Sequence, residues 1–270
     1  MSEIMPKIFE SKYIPLSTFF QQSTNKEIRL TYAEIEAIIG QVLPNAAYLS
    51  SSWWKKTKPP ALHYFAWTEH GYSVKTVDLG KSVLFHSSVL ETDEIIDDVN
   101  NHQDILIIRE AELDDARAFI RLQETIFSET DFMLYGKSDI QMTVQSIRKE
   151  MSAWKNTENS NLLLAIMNGQ FAGYVLFTGG PAPRALHRAS VVIGVKQEFS
   201  KKGIASSLMV HGEKWAKEVG ISKLELSVIK ENIGAQKLYK KLGFEKEGDR
   251  KNALIINGHF VDEYYMGKLI

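Results

Sequence analysis

The residues Ser200-Lys201-Lys202-Gly203-Ile204-Ala205 follow the apolar run Val191-Val192-Ile193-Gly194-Val195 and open a helical pattern through Leu208, Gly212, Trp215 and Val219. A strand feeding a small-residue turn and then a helix is a design that holds phosphate. The first turn of a helix carries backbone N–H groups without partners of their own, and the macrodipole adds positive potential there. Gly203 and Ala205 leave room for the backbone to come close to a ligand. The chemistry this permits is recognition of a pyrophosphate by main-chain amides. The turn matches neither the G-x-G-x-x-G of a dinucleotide fold nor the G-x-x-x-x-G-K-[ST] of a P-loop. Taken alone, it also reads as an ordinary strand-to-helix turn of an α/β protein.

Such a turn needs a sheet and helices to place it, and residues 105–270 supply both in the order β-α-α-β-β-β-α-β-α-β-β. Residues 105–109 form a short apolar strand. A helix follows Asp114 and Asp115, with Ala118, Phe119, Leu122 and Ile126 on a helical period, and a second helix covers 140–154. Strands at 161–167 and 170–178 are joined by Asn168-Gly169, and strands at 252–256 and 259–269 by Asn257-Gly258. Asn-Gly suits a type I′ turn, whose two central residues take positive φ. Residues 223–228 alternate as another strand, and a short helix runs from Asn232 to Gly243, with its core stripe expected at Ala235, Leu238 and Leu242. The fold class is α/β (α+β): a mixed sheet flanked by helices, plus a small N-terminal α+β domain.

Composition narrows the function classes. With 32 basic and 33 acidic side chains the net charge is −1, which commits the surface to neither nucleic acid nor membrane. The chain has no cysteine, so disulfides, thiolate metal sites and a cysteine nucleophile are excluded, and a cytoplasmic setting fits. Residues 1–6 lack the basic and apolar stretches of a signal peptide. No apolar run approaches the ~18 residues of a membrane span. Residues 91–104 hold six acidic and no basic side chains, as a solvated linker does. The expected division is a domain at 1–90, an acidic linker at 91–104 and a larger domain at 105–270.

Two stretches, at their mutual spacing, carry a family resemblance. The first is the strand Val191–Val195 with the turn Ser200-Lys201-Lys202-Gly203-Ile204-Ala205-Ser206-Ser207-Leu208. The second is Glu231-Asn232-Ile233-Gly234-Ala235-Gln236-Lys237-Leu238-Tyr239-Lys240-Lys241-Leu242-Gly243-Phe244. Leu224-Glu225-Leu226-Ser227-Val228 and residues 258–266 fit beside them. With these, residues 105–270 resemble the GCN5-related N-acetyltransferase (GNAT) superfamily, in the branch that includes ribosomal-protein N-terminal acetyltransferases and small-molecule acetyltransferases.

The resemblance implies that two central parallel strands splay apart and that acetyl-CoA (CoA) lies in the gap. It implies cofactor contacts at Ile193, Val195, Lys202, Gly203, Ile204, Ala205, Ser206, Ser227, Asn232 and Tyr239. The Val195 amide would polarise the thioester carbonyl, and the Tyr239 hydroxyl would act as general acid toward the departing thiolate. Asn232 and Tyr239 lie about two helical turns apart and so share a face; Asn232 also reads as an N-cap. The family usually has Arg or Gln where this chain has Ser200, and often Gly where it has Ala205. Lys201 and Lys202 either compensate for Ser200 or face solvent. Gly194 fits a bulge, a close approach or plain packing.

No general base stands out. The positions where some relatives carry a glutamate are Val191, Val192 and Ile193 here. Glu124, Glu129, His187 and Glu225 are the candidates, with ordered water as another route. Acceptor specificity is expected from the first two helices, Gly179-Gly180-Pro181, residues 184–188 and the last hairpin. Glu124, Glu129, Asp131 and Asp262 either attract a cationic amine there or are ordinary surface charges. The implied activity is transfer of acetyl from acetyl-CoA to a primary amine of a small molecule or peptide, by direct attack and without a metal. The alternative is a non-catalytic acetyl-CoA-sensing regulator whose N-terminal domain binds nucleic acid or protein. Nucleic acid and membrane are not expected as partners; a homodimer is left open.

In the N-terminal part, Thr31 and Glu34 have the spacing of a capping box for a helix at 31–39 that Gly40 ends. Tyr48, Trp53, Trp54, Tyr64, Phe65, Trp67 and Tyr72 crowd one stretch, and strands are expected at 61–69, 72–78 and 83–86. These aromatics, beside Lys55, Lys56 and Lys58, suit the core of a small sheet better than a nucleic-acid platform. The pattern resembles a small bacterial domain of unknown function.

Overall fold

The computed structural model describes residues 10–57, 61–87, 104–136 and 142–270. The chain divides into two units, Met1–Ile107 with Ile166–Gln170, and Ile108–Ala165 with Phe171–Ile270. Of the acidic stretch expected to be a linker, residues 91–103 lie outside the described residues. No described helix is long and apolar enough to cross a membrane.

The first unit contains α1 (Ile14–Gln22), β1 (Glu27–Thr31), α2 (Tyr32–Ile39), α3 (Asn45–Leu49), α4 (Ser51–Trp54), α5 (Phe65–Thr68), β2 (Tyr72–Asp78) and β3 (Ser82–Ser87). Its sheet has the order β1-β3-β2 and is antiparallel throughout. The capping box forms as expected: Thr31 Oγ1 accepts the Glu34 N–H, and the Glu34 carboxylate accepts the Thr31 N–H at 2.7 Å. Gly40 closes α2 at φ 75°.

The strand expected at 61–69 is absent; this segment is a turn leading into α5. Its buried side chains, His63, Tyr64, Ala66 and Trp67, recur at helical spacing, and the Thr68 N–H donates to the Tyr64 carbonyl at 3.1 Å. Aromatic content favours strands only as a weak prior, and packing overrode it. Trp54, Trp67, Tyr13, Phe20 and Phe85 are fully buried. The Trp54 indole N–H donates to the Ala47 carbonyl at 2.9 Å, and Trp53 stacks flat on His63 at 3.8 Å. Most of the aromatic crowd is therefore core.

The second array contains β4 (Leu106–Glu110), α6 (Ala116–Glu129), α7 (Val144–Lys155), β5 (Asn161–Met167), β6 (Gln170–Gly179), β7 (Arg188–Val195), α8 (Ile204–Glu218), β8 (Lys223–Ile229), α9 (Ile233–Lys241), β9 (Glu245–Ile256) and β10 (His259–Leu269). This is the expected order of elements. Its strands form one seven-stranded sheet, β4-β5-β6-β7-β8-β10-β9. Both Asn-Gly pairs take positive φ, at 51° and 82° for Asn168-Gly169 and at 50° and 81° for Asn257-Gly258. The expected helix at 140–154 begins at Val144, because Thr143 and Ser146 form its cap; Ile140 lies outside the described residues.

Two helices sit on opposite faces of the sheet. Tyr174 and Gly194 are register partners, as are Phe177 and Val191, and side chains alternate along a strand. Phe119 of α6 meets Tyr174 edge-on at 5.1 Å, and Trp215 of α8 meets Phe177 at 5.6 Å. Helix α6 is anchored near its start by a buried bidentate pair, in which Arg109 donates to both Asp115 oxygens at 2.7 and 2.8 Å.

Candidate active site

The site is a fork in the sheet. β7 and β8 pair in parallel only at Arg188↔Lys223, Ala189↔Leu224 and Ser190↔Glu225, although β7 continues to Val195 and β8 to Ile229. A cleft of about 1340 Å³ occupies the gap beyond. The outer neighbours of the two strands determine which backbone groups face it. The Lys196 N–H donates to the Ala172 carbonyl at 2.9 Å and the Gly180 N–H to the Arg188 carbonyl at 3.1 Å. An antiparallel ladder alternates, so Val192 and Gly194 turn their groups to β6 while Ile193 and Val195 turn theirs to the gap. On β8, the Lys230 N–H donates to the Asp262 carbonyl and the Ile270 N–H to the Ser222 carbonyl, both at 3.0 Å. With the β8–β10 register, the same alternation leaves Ser227 and Ile229 facing the gap.

The turn after β7 presents amides of its own. Lys201 and Gly203 take φ 62° and 81°, and the first bond of α8 runs from the Ser207 N–H to the Gly203 carbonyl at 3.0 Å. The N–H groups of Gly203, Ile204, Ala205 and Ser206 therefore have no partner within the helix. A Cβ on Gly203 would meet no atom within 4 Å, so the turn is open on that side. Gly194 does not sit at a bulge, because the β6–β7 register is unbroken. It is a close-approach glycine: a Cβ there would lie 3.0 Å from Tyr174 and 3.1 Å from Ile126.

Asn232 caps α9, its Oδ1 accepting the Ala235 N–H at 3.0 Å. Tyr239, two turns on, is 8% exposed, and burial pushes its hydroxyl up to about 12. Among the described residues, no partner takes that hydroxyl. The stripe expected at Ala235, Leu238 and Leu242 is only half-buried; Gln236 and Tyr239 are the buried residues. Ala235 and Leu238 line the cleft instead, because α9 borders the fork rather than a closed core.

Of the residues expected at the site, Ile193, Val195, Ala205, Ser227, Asn232 and Tyr239 line this one cleft. Lys202, Gly203, Ile204 and Ser206 sit in the adjoining turn and do not line it; the Ile204 side chain is buried. Among the base candidates, Glu124 and His187 are exposed. Glu129 is tied to the end of β7, accepting the Gln197 N–H at 2.7 Å. Glu225 lines the cleft at the closed end of the fork, paired with Arg188 at 3.0 Å and Lys223 at 3.3 Å.

The sequence reading missed the polar residue most enclosed in the cleft. Glu263 is 6% exposed; it accepts the Ser227 hydroxyl at 3.1 Å and Arg250 Nη1 at 2.7 Å. No motif signals it, since its partners come from two other strands. Among the described residues, no cluster of His, Asp and Glu is arranged to hold a metal ion.

Comparison with known proteins agrees with this geometry. Residues 126–244 match the Acetyltransferase (GNAT) family, and residues 13–89 match a domain of unknown function, DUF7662. The L-amino acid N-acetyltransferase AaaT of Escherichia coli strain K12 is 34% identical over 111 residues, which are 40% of this chain and 67% of that protein. The chain belongs to the GNAT acetyltransferase family. This GNAT protein is therefore an N-acetyltransferase. A solved GNAT-family acetyltransferase from Streptococcus pneumoniae is 33% identical, with TM-score 0.60 over 62% of this chain and 100% of that one. A phosphinothricin acetyltransferase from Sinorhizobium meliloti, solved in complex with AcCoA, is 17% identical with TM-score 0.55 over 61% of this chain and 88% of that one, a likeness of fold alone.

Proposed function

We propose that residues 105–270 form a catalytic domain that acetylates a primary amine of a small molecule or peptide, joined through residues 91–104 to an N-terminal domain of 1–90. The acyl donor is acetyl-CoA. When bound, it supplies an acetyl group already activated as a thioester. The observation that carries the reading is the fork, an unfinished ladder of main-chain groups that ends in a turn where the N–H groups of Gly203 to Ser206 have no partner within the helix. A long ligand that needs strand-like partners along its arm and an anion grip at its end fits such a crevice. In this reading Ile193, Val195 and Ser227 bind the arm, and the turn at Lys202–Ser206 grips the pyrophosphate. The Val195 N–H, which faces the gap, would donate to the thioester carbonyl oxygen, and Asn232, which caps its helix, would also contact the ligand. Tyr239 keeps its proton in a dry wall, ready for the leaving sulfur. A cysteine-free chain and this donor both suit the cytoplasm, where we place the reaction.

L-Amino acids are the first acceptors to try, since AaaT carries that activity in its name. The test is thiol release from acetyl-CoA across a panel of L-amino acids, a polyamine and a peptide with a free N-terminus. Release with at least one amine, and identification of the N-acetyl product by mass, is expected. Binding of CoA without release for any amine would overturn the assignment.

A further inference from the structure

We propose that Glu263 is the proton acceptor for the incoming amine. The proposal rests on the acetyl-transfer reading of the same cleft. An amine arrives mostly as ammonium, which has no lone pair, so a group in the cleft must take a proton before attack. The β8–β10 register places Glu263 opposite Ile229 and Tyr265 opposite Ser227. These side chains share one face of the sheet with Ser190 and Val192, which are exposed there. Continuing the parallel register past Ser190↔Glu225 puts Ser227 and Ile229 across the gap from Val192 and Gly194. Glu263 thus stands over the open part of the fork, whereas Glu225 stands at its closed end. The two carboxylate oxygens each accept one donor, Ser227 Oγ on one and Arg250 on the other. An ionised carboxylate has room for about four donors, so positions remain for an N–H of the substrate. In the step, one N–H bond of the ammonium breaks, the proton moves to a Glu263 oxygen and the electron pair stays on nitrogen.

The other charged groups near Glu263 are already engaged. On its own face, Arg250 of β9 lies over the Tyr265 ring at 5.1 Å, and Glu225 is held by Arg188 and Lys223. Lys223 also holds Glu247 at 2.9 Å. On the other face, Lys230 pairs with Asp249 at 3.0 Å and Asp262 at 2.8 Å.

The experiment compares the full-length wild type with Glu263→Gln, which keeps the shape: its amide oxygen still accepts from Arg250, and its amide N–H donates to the Ser227 hydroxyl oxygen, whose own proton turns away. CoA binding by calorimetry is expected to be unchanged. The ratio of wild-type to variant kcat/KM is expected at about 10²-fold or more near neutral pH. It should narrow as pH rises toward the amine's own pKa, where the substrate arrives unprotonated. A ratio that stays flat with pH would show a structural role and overturn the proposal, as would a variant of wild-type rate. If Glu263→Gln loses CoA binding, Glu263→Asp takes the same test: a narrowing ratio supports the proposal and a flat one overturns it. If the wild type binds CoA and acetylates no amine, the reading of the cleft falls and Glu263 with it. If the wild type transfers acetyl and the ratio is flat, only Glu263 falls.

Discussion

The two banks of the fork are built from different material. On the β7 side, the backbone provides the polar groups: Ile193 and Val195 face the gap through main-chain atoms, and the α8 turn adds amides held by Lys201 and Gly203 at positive φ. On the β8–β10 side, side chains join the main-chain groups of Ser227 and Ile229: Ser227, Glu263 and Arg250 form one bonded chain. Tyr239, also a side chain, completes the wall from α9. A backbone bank tolerates substitution wherever φ and ψ survive. A side-chain bank is less tolerant, because removing Ser227 or Arg250 leaves the buried Glu263 carboxylate short of a donor.

This contrast makes the two banks separable by mutation. The largest effect is expected on the side-chain bank. Tyr239→Phe should lower kcat by about 10²-fold while CoA affinity, measured by calorimetry, holds; an unchanged kcat would end the general-acid assignment.

The same residue links stability to pH. Its folded pKa, about 12, is raised above the unfolded value of ~10, so the protonated form is favoured by folding. That contribution is fully present below pH ~10 and is lost as pH rises toward the folded value. Denaturant unfolding between these limits should show the wild type losing on the order of 1–3 kcal/mol more than Tyr239→Phe.

On the backbone bank, Gly203→Ala adds a Cβ that meets no atom within 4 Å and brings only strain at φ 81°. A loss of roughly 1–2 kcal/mol in stability should come with weaker CoA binding at unchanged kcat. If kcat falls instead, the turn does more than grip. The smallest effect is expected for Lys201→Gly, which relieves the strain at φ 62° and should stabilise by up to ~1 kcal/mol. CoA affinity that stays level would show that the amides suffice there; a drop would bring the lysine charge into the grip.

Legibility in the sequence follows the same division. The backbone bank announces itself locally, because strand, turn and helix are contiguous: Val191–Val195, the Gly203 turn and α8; Tyr239 is legible in the same local way, seven residues after Asn232, the cap of its own helix. Glu263 is 36 residues from Ser227 and 13 from Arg250, and only strand pairing joins them. A pattern of types and spacings along one chain carries no record of that meeting. The strand expected at 61–69 failed for a related reason. Its aromatics favour a strand only weakly, and what decided the outcome was tertiary packing: Trp67 against Trp54 and Phe85, and His63 against Tyr13, partners more distant in sequence.

The fork has one more consequence. A seven-stranded sheet ordinarily has two edges, here β4 and β9, but where β7 and β8 part it acquires a second pair inside. Water must satisfy these inner edges in the free protein, so folding stops with the sheet incomplete. A ligand laid along Ile193 and Val195 finishes the ladder as an added strand would. Melting temperature should then track ligand concentration through RT ln(1 + [L]/Kd). Each cycle of binding and release thereby mends and reopens a seam in the middle of the sheet.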